Sequence, residues 1–153
     1  MESRRELLES IGSTSLFDKS ITSCFEIIHL DLERGECNGL FKVDERHVNG
    51  FRKLHGGVIC TLVDIIGSYA LIASQPSDAI SPGVSSDINV SFFQGTDINS
   101  TILVESKVLK KGKKLGFVQV DIKNNETGAL LAQGRHTKVL TAPRLDGHLP
   151  SKL

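Results

Sequence analysis

Residues 54–64 read LHGGVICTLVD and hold two features that could do chemistry. Gly56 and Gly57 carry no side chains, so their backbone N–H groups remain accessible where an apolar segment begins. A helix starting there presents unpaired N–H donors and the positive end of its dipole, which can stabilise negative charge on a polarised carbonyl oxygen. The same glycines could instead serve only a tight turn.

Asp64 is the one charged residue of the apolar segment 56–75. At about 100° per residue, Asp64 lies within about 20° of Gly57 around a helix axis and about 10 Å further along it. Both are therefore expected to face one groove. No Lys or Arg occurs between Lys53 and Lys107, so the nearby chain offers no ion pair. This favours a catalytic carboxylate, as general base on water or as nucleophile, over a structural one.

Four further residues are weaker candidates. Asn49 belongs to an Asn-Gly pair, which by itself is an ordinary turn signal. His55 could be a ligand, a base or a satisfied core residue. Ser85 lies at the start of a strand and lacks the GxSxG elbow of an activated serine. Cys60 has no basic neighbour in its apolar helix to form a thiolate, which disfavours a cysteine enzyme.

Hydrophobic periodicity predicts the elements that position these residues. Residues 56–75 are apolar on nearly every side, which is typical of a helix buried in a core, and Gly67 within them indicates close packing against a neighbour. A short helix is predicted over 3–11, and strands over 24–33, 37–43, 83–93, 101–109, 115–123 and 129–140. The short turns imply antiparallel pairing. An α+β fold follows, with one antiparallel sheet curled around a central apolar helix and exposed edges that favour pairing with a second copy.

Composition excludes several classes of protein. The chain has 153 residues, enough for one domain, with 18 basic and 18 acidic residues, one Tyr and no Trp, which argues against a nucleic-acid binder. The five His and three Cys lack metal-site spacing, so no metal site is predicted and the thiols are expected to be free in a reducing compartment. No run is expected to reach the roughly 18 apolar residues of a membrane span.

The two ends of the chain suggest a cellular address. The charged N-terminus lacks the apolar region of a secretory signal. The terminal Ser151-Lys152-Leu153 matches the peroxisomal address and follows a loose tail, where an import receptor could reach it. The predicted organisation is an N-terminal extension at 1–20, a domain at 21–140 and a tail at 141–153. The expected location is the peroxisome, with the cytoplasm as the alternative.

Three stretches, in this order, together resemble hotdog-fold acyl-CoA thioesterases of the PaaI-like group. They read HVNGFRKLHGGVICTLVD, PGVSSDINVSF and AQGRHTK, and the resemblance covers about residues 20–140. It implies hydrolysis of a fatty or aromatic acyl-CoA to the free acid and coenzyme A by a homodimer or homotetramer. It also implies no metal or redox cofactor, since coenzyme A is part of the substrate and product.

The resemblance assigns roles within a site that forms between subunits. The N–H of Gly56 and the amide of Asn49 hold the thioester carbonyl. Asp64 directs the attacking water, helped by Ser85 from the second subunit. His55 supports the site by orienting the turn or the thioester.

The same resemblance implies a surface for the substrate and its coenzyme A. Its expected residues are Gly57, Phe92, Phe93, Lys110, Lys111, Gly112, Lys113, Lys114, Leu115, Arg135, His136 and Lys138. Because strand 115–123 is expected to pair with strand 129–140, the basic residues should concentrate near one edge. Val139 and the loop 94–97 depart from the polar residue and the lysine that some relatives carry, so affinity for the nucleotide end is expected to differ.

Two other functions fit the same fold. A hydratase or dehydratase would need a group that moves a proton at the acyl carbon. A non-catalytic acyl-CoA-binding protein would gain little from a desolvated carboxylate, so Asp64 disfavours that alternative.

Overall fold

The computed structural model describes residues 2–76 and 80–140. Its elements are α1 (Glu2–Gly12), α2 (Leu16–Thr22), β1 (Phe25–Asp31), β2 (Glu36–Lys42), a 3-10 helix (Glu45–His47), α3 (Gly56–Ala73), β3 (Val84–Phe92), β4 (Thr101–Lys111), β5 (Leu115–Asn124) and β6 (Leu130–Val139). The predicted N-terminal helix, long helix and six strands are confirmed. Helix α2 is not predicted, because only Ile21 of its seven residues is buried and no apolar period develops.

The six strands form one antiparallel sheet in the order β1-β2-β4-β5-β6-β3. The predicted pairing of β5 with β6 is confirmed. Strands β3 and β4 follow each other in the chain but are not neighbours, because β3 lies at the edge beside β6 and β4 lies inside the sheet beside β2. Strand β3 therefore combines an open edge with residues that the sequence analysis assigns to the site.

Helix α3 is the core helix around which the sheet wraps. Twelve of its 18 residues are buried, and each fully buried aliphatic side chain contributes roughly 1.5–3 kcal/mol. The sequence-based expectation that no run is long and apolar enough to cross a membrane is wrong for Gly56–Ala73 by length and composition. Its burial against the sheet identifies it instead as the central helix of the predicted fold.

Small residues allow α3 to lie close to β6. A Cβ on Gly134 would lie 2.5 Å from Val63 Cγ2, and a Cβ on Gly67 would lie 3.1 Å from His136 Nδ1. The contact at Gly134 leaves no room for a side chain, and the contact at Gly67 is closer than an ordinary van der Waals contact. The close packing expected at Gly67 is confirmed, and it holds the middle of the helix against the strand that carries His136.

The N-terminal helices share the core of the sheet. Leu8 of α1 is fully buried and Ile21 of α2 is 6% exposed. Arg4 donates hydrogen bonds to the carbonyl oxygens of Ile72 at 2.8 Å and Gln75 at 3.1 Å, which satisfies carbonyls at the end of α3. The predicted boundary between residues 20 and 21 falls inside α2, so the extension packs as part of the domain. The predicted signal Ser151-Lys152-Leu153 lies outside the described residues.

Candidate active site

The N-terminus of α3 presents one free backbone donor. His55 is the N-cap, and its Nδ1 accepts a hydrogen bond from the N–H of Gly57 at 2.8 Å. Within residues 2–76 and 80–140, the N–H of Gly56 has no hydrogen-bond partner. The expected orienting role of His55 thus takes the form of a cap. The N–H of Gly57 is bonded to this cap, which leaves the N–H of Gly56 as the available donor.

Asn49 lines the same cavity as Gly56. Its Oδ1 accepts hydrogen bonds from the N–H groups of Phe51 at 2.9 Å and Lys53 at 3.2 Å. Those two bonds fix which end of the amide is oxygen, so the NH₂ group is turned away from the loop. Asn49 and Gly56 line one cavity of about 260 Å³ together with Phe92 and Phe93. We call Asn49 and Gly56 the donor site.

Asp64 lies at an opening and is held by a serine of its own chain. Its side chain is 45% exposed, and its Oδ1 accepts a hydrogen bond from Ser85 Oγ at 2.9 Å. A β-bulge at Ser86 shifts the register of β3 next to this contact, as bulges beside functional sites commonly do to redirect a side chain. The expectation that Ser85 comes from the second subunit is therefore corrected, since the same chain supplies it.

His136 lies behind this pair as a buried, neutral imidazole. Its Nε2 is 2.9 Å from Ser85 Oγ and 3.3 Å from Asp64 Oδ1. Burial, with a further contribution from the charge of Lys138, lowers the pKa of His136 to about 4. Ser85 donates its proton to Asp64 and can accept a hydrogen bond from Nε2 when that nitrogen carries the ring proton. We call Asp64, Ser85 and His136 the acid site.

Lys138 extends the polar network along the same face of β6. Its Nζ donates to Ser68 Oγ at 2.5 Å, and Ser68 Oγ donates to the backbone oxygen of Asp64 at 2.7 Å. Burial lowers the pKa of Lys138, an effect that the nearby Asp64 carboxylate opposes. The network ties the side chain of Lys138 to the helical turn that presents Asp64.

The expectation of a single exposed basic edge is wrong for His136 and Lys138. Both side chains point towards α3 and are buried, whereas Arg135 points to the opposite face and is exposed. Alternation along a strand gives the physical reason, because positions two apart share a face. This alternation in AQGRHTK is a sequence signal that could have placed His136 and Lys138 on the inner face of the sheet.

The expected coenzyme A surface is otherwise exposed. Residues 110–115 are all exposed, and so are Phe92 and Phe93. Lys111 is engaged, since its Nζ donates to the carbonyl oxygen of Ser74 at the end of α3. The basic turn lies at the same end of the sheet as Ser85, because Val139 pairs with Leu115 on one side and with Val84 on the other.

The donor site and the acid site of one chain lie apart along α3, and Gly57 and Asp64 line different cavities rather than the expected single groove. Gly56 and Asp64 are eight residues apart, or about 12 Å along the helix axis. They line different cavities. A thioester carbonyl and the water that attacks it need donors and base within a few ångströms of each other. One chain by itself does not bring these two sites to one carbonyl.

Two groups of described residues come close enough to bind a metal, and neither includes Asp64. One group is Cys24, Asp44 and His47, and the other is His29, Asp31 and Glu36. In the first, the guanidinium of Arg46 already contacts Asp44 Oδ2 at 2.6 Å and Cys24 Sγ at 3.2 Å. A cation there would compete with an arginine. These groups are not part of the candidate active site.

A six-stranded antiparallel sheet around one helix is the hotdog fold, and solved thioesterase structures share it. Zebra fish thioesterase superfamily member 2 superposes with a TM-score of 0.78 at 37% sequence identity, covering 88% of this chain and 94% of that chain. The E. coli PaaI protein of the phenylacetic acid degradation operon superposes with a TM-score of 0.72 at 19% identity, covering 90% and 93%, which shows a likeness of fold alone.

Sequence comparison identifies the family. The thioesterase superfamily model matches residues 51–130. Human acyl-coenzyme A thioesterase 13 is 36% identical over 139 residues, which cover 91% of this chain and 95% of that protein. The chain belongs to the thioesterase superfamily, and it is a thioester hydrolase.

Proposed function

We propose that this chain hydrolyses a fatty or aromatic acyl-CoA to the free acid and coenzyme A. The observation that carries the proposal is the half-exposed Asp64 carboxylate, oriented by Ser85 with a neutral His136 behind it. The name of the human relative supports acyl-CoA as the substrate class. A carboxylate at an opening, rather than one paired with Lys or Arg, is available to a water molecule.

In the proposed reaction, the donor site holds the thioester oxygen and the acid site directs water. Water attacks the carbonyl carbon while Asp64 takes its proton, and negative charge develops on the oxygen facing the N–H of Gly56 and the amide of Asn49. Collapse of the intermediate breaks the carbon–sulfur bond and releases the acid, and the proton held by Asp64 neutralises the thiolate. Attack by Asp64 itself, through an anhydride, is the alternative route.

We infer that the donor site of one copy meets the acid site of another. Phe92 packs near Gly56, and Ser85 binds Asp64. Ser85 and Phe92 are seven residues apart on β3, or about 23 Å. Strand β3 is an open edge with exposed Val84 and Ile88, and open edges favour pairing. Antiparallel pairing of two β3 strands centred on Ile88 would place Ser85 of each copy opposite Ser91 of the other, next to Phe92.

We expect a homodimer of this kind, or a homotetramer built from two such dimers. The basic turn at 110–114 would then bind the phosphates of coenzyme A, because its lysines are exposed at the same end of the sheet as Ser85. Phe92 and Phe93 offer exposed aromatic contacts beside the donor site. The hydrolysis involves no net oxidation or reduction, and Asp64 and the donor site supply its base and its oxyanion donors, so we propose that it needs no redox cofactor and no metal.

Thiol release from a panel of acyl-CoAs, followed with DTNB, tests the proposal. We expect release of one thiol per acid formed, with activity unchanged after dialysis against EDTA. No release from short, medium, long or aromatic thioesters would favour a non-catalytic binder. Loss of conjugation from a 2-enoyl-CoA without thiol release would favour a hydratase. The panel also identifies the preferred acyl group.

We also propose that Ser151-Lys152-Leu153 directs the chain to the peroxisome through its import receptor. A fluorescent protein fused to the N-terminus should accumulate in peroxisomes. Deletion of Leu153 should leave the fusion in the cytoplasm. Equal distribution of both fusions would contradict the proposed address.

A further inference from the structure

The cavity beside Asp64 continues away from the acid site into the chain. Its volume is about 370 Å³, at the lower end of the range of small-molecule pockets. One wall is a single face of α3 that runs from Asp64 through Ile65, Ser68 and Tyr69 to Ile72, about 12 Å along the helix. The opposite wall comes from the end of α1 and the connection to α2, at Ile11, Gly12 and Thr14.

Tyr69 separates this cavity from a second one. The second cavity, of about 180 Å³, lies under the N-terminal helices and is lined by Tyr69, Thr22 and Phe25 among others. Tyr69 lines both cavities and is only 3% exposed, so its side chain stands between them. Gly12 makes room for the Tyr69 hydroxyl, since a Cβ at Gly12 would lie 2.0 Å from it.

The chemistry of the first cavity suits an acyl chain. Isoleucines from both walls line it. Lys138 is the one basic residue among the described residues of its lining, and its side chain already donates a hydrogen bond to Ser68. The Tyr69 hydroxyl is buried without a hydrogen-bond partner in the described part of the chain, so the far end of the cavity offers a ring rather than a polar network. An apolar chain entering beside Asp64 would bury surface along the whole face.

We propose that Tyr69 sets the length of the acyl chain that the enzyme accepts. This inference rests on the proposed function, because the cavity opens beside the acid site. Tyr69 lies five residues beyond Asp64, or about 7.5 Å along the helix. A chain attached at a thioester carbon near Asp64 meets the Tyr69 ring, and further carbons have to enter the second cavity that the ring closes.

Replacement of Tyr69 tests this directly. Tyr69→Leu keeps an apolar core side chain but removes the outer ring, and it should join the two cavities. We expect the ratio of kcat/KM for dodecanoyl-CoA to that for hexanoyl-CoA to rise at least about tenfold, since each added buried CH₂ is favourable. Tyr69→Phe is the matched control, because it removes only the hydroxyl and should keep the wild-type ratio.

A wild-type ratio in folded Tyr69→Leu, or an equal shift in Tyr69→Phe, would overturn the inference. If thermal unfolding shows that Tyr69→Leu does not fold, Tyr69→Met replaces it with the same expected result. Thr14→Phe gives an independent measurement, because Thr14 is exposed on the opposite wall and a larger side chain there should lower the ratio. An unchanged ratio in Thr14→Phe would contradict the cavity's role. Wild-type protein that hydrolyses neither thioester would refute the proposed function instead.

Discussion

Ser85 donates a hydrogen bond to Asp64 at 2.9 Å within one chain, although 21 residues separate them. The contact joins the middle of the core helix to the edge strand of the sheet. It fixes one carboxylate oxygen of Asp64 and leaves the side chain 45% exposed. The acid site is thereby positioned by the fold of a single chain before any second copy arrives.

Asp64→Asn should lower kcat by at least about 1,000-fold, because the amide cannot take a proton from water. KM should change little, since the donor site and the basic turn are untouched. Steady-state kinetics with a thiol assay provides the measurement. Glu126→Gln is the matched carboxylate-to-amide control in the exposed turn between β5 and β6 and should behave like wild type. Wild-type turnover in Asp64→Asn would exclude the mechanism.

Two inactive variants should restore activity when they are co-expressed. Asp64→Asn destroys the acid site and Asn49→Ala weakens the donor site, but a mixed dimer holds one site in which both halves are intact. We expect up to about half of the wild-type activity per mixed dimer, because one of its two sites is complete. Activity of differentially tagged, doubly purified dimers provides the measurement.

The control for this experiment is co-expression of Asp64→Asn with Ser85→Ala. Both changes lie in the acid site, so every site of the mixed dimer contains one damaged acid site. No gain over the more active parent is expected. No recovery in the first pair would show that the two sites of one chain act together. Equal recovery in both pairs would show that Asp64 and Ser85 of one acid site come from different copies.

The buried neutral His136 should make stability depend on pH. Its pKa of about 4 in the folded chain is below the ordinary value of 6.5, so the unfolded chain binds the proton first as pH falls. Stability is therefore full above pH 6.5 and is lost as pH falls towards 4. Between pH 7.5 and pH 5 the wild type should lose about 2 kcal/mol more than His136→Gln. Urea unfolding at the two pH values measures the difference.

His29→Gln is the comparison for that experiment, since His29 is 51% exposed on β1. Its loss of stability between the two pH values should match that of the wild type. A wild-type pH dependence in His136→Gln would mean that this histidine is not held neutral by burial.

Charge at the basic turn should affect substrate binding rather than chemistry. Lys113→Gln and Lys114→Gln should each raise KM roughly two- to fivefold with kcat unchanged, as expected for exposed contacts to phosphate. Added salt should shrink the difference from wild type, because it screens exposed charges. Lys107→Gln, at an exposed position on β4, should leave KM unaltered. A fall in kcat alone would contradict the assignment.

The local sequence pattern was sufficient to predict the helix and strands that carry the site. Periodicity and apolar content predict α3 and all six strands from nearby residues alone, and this includes β3, which is exposed in the single chain at every position except Val90. The glycines at the start of α3 and the lone Asp64 identify candidate chemistry because residue type and local position are enough to recognise them. Helix α2 escapes prediction because its burial depends on docking against the sheet.

Tertiary structure decided which candidates meet. No sequence pattern reports that β3 crosses to the edge beside β6, and this crossing brings Ser85 and His136 to Asp64. The sequence by itself determined the elements and the chemical groups, because these depend on nearby residues. The pairing of those groups depends on strand order and register, which arise only when distant segments pack together.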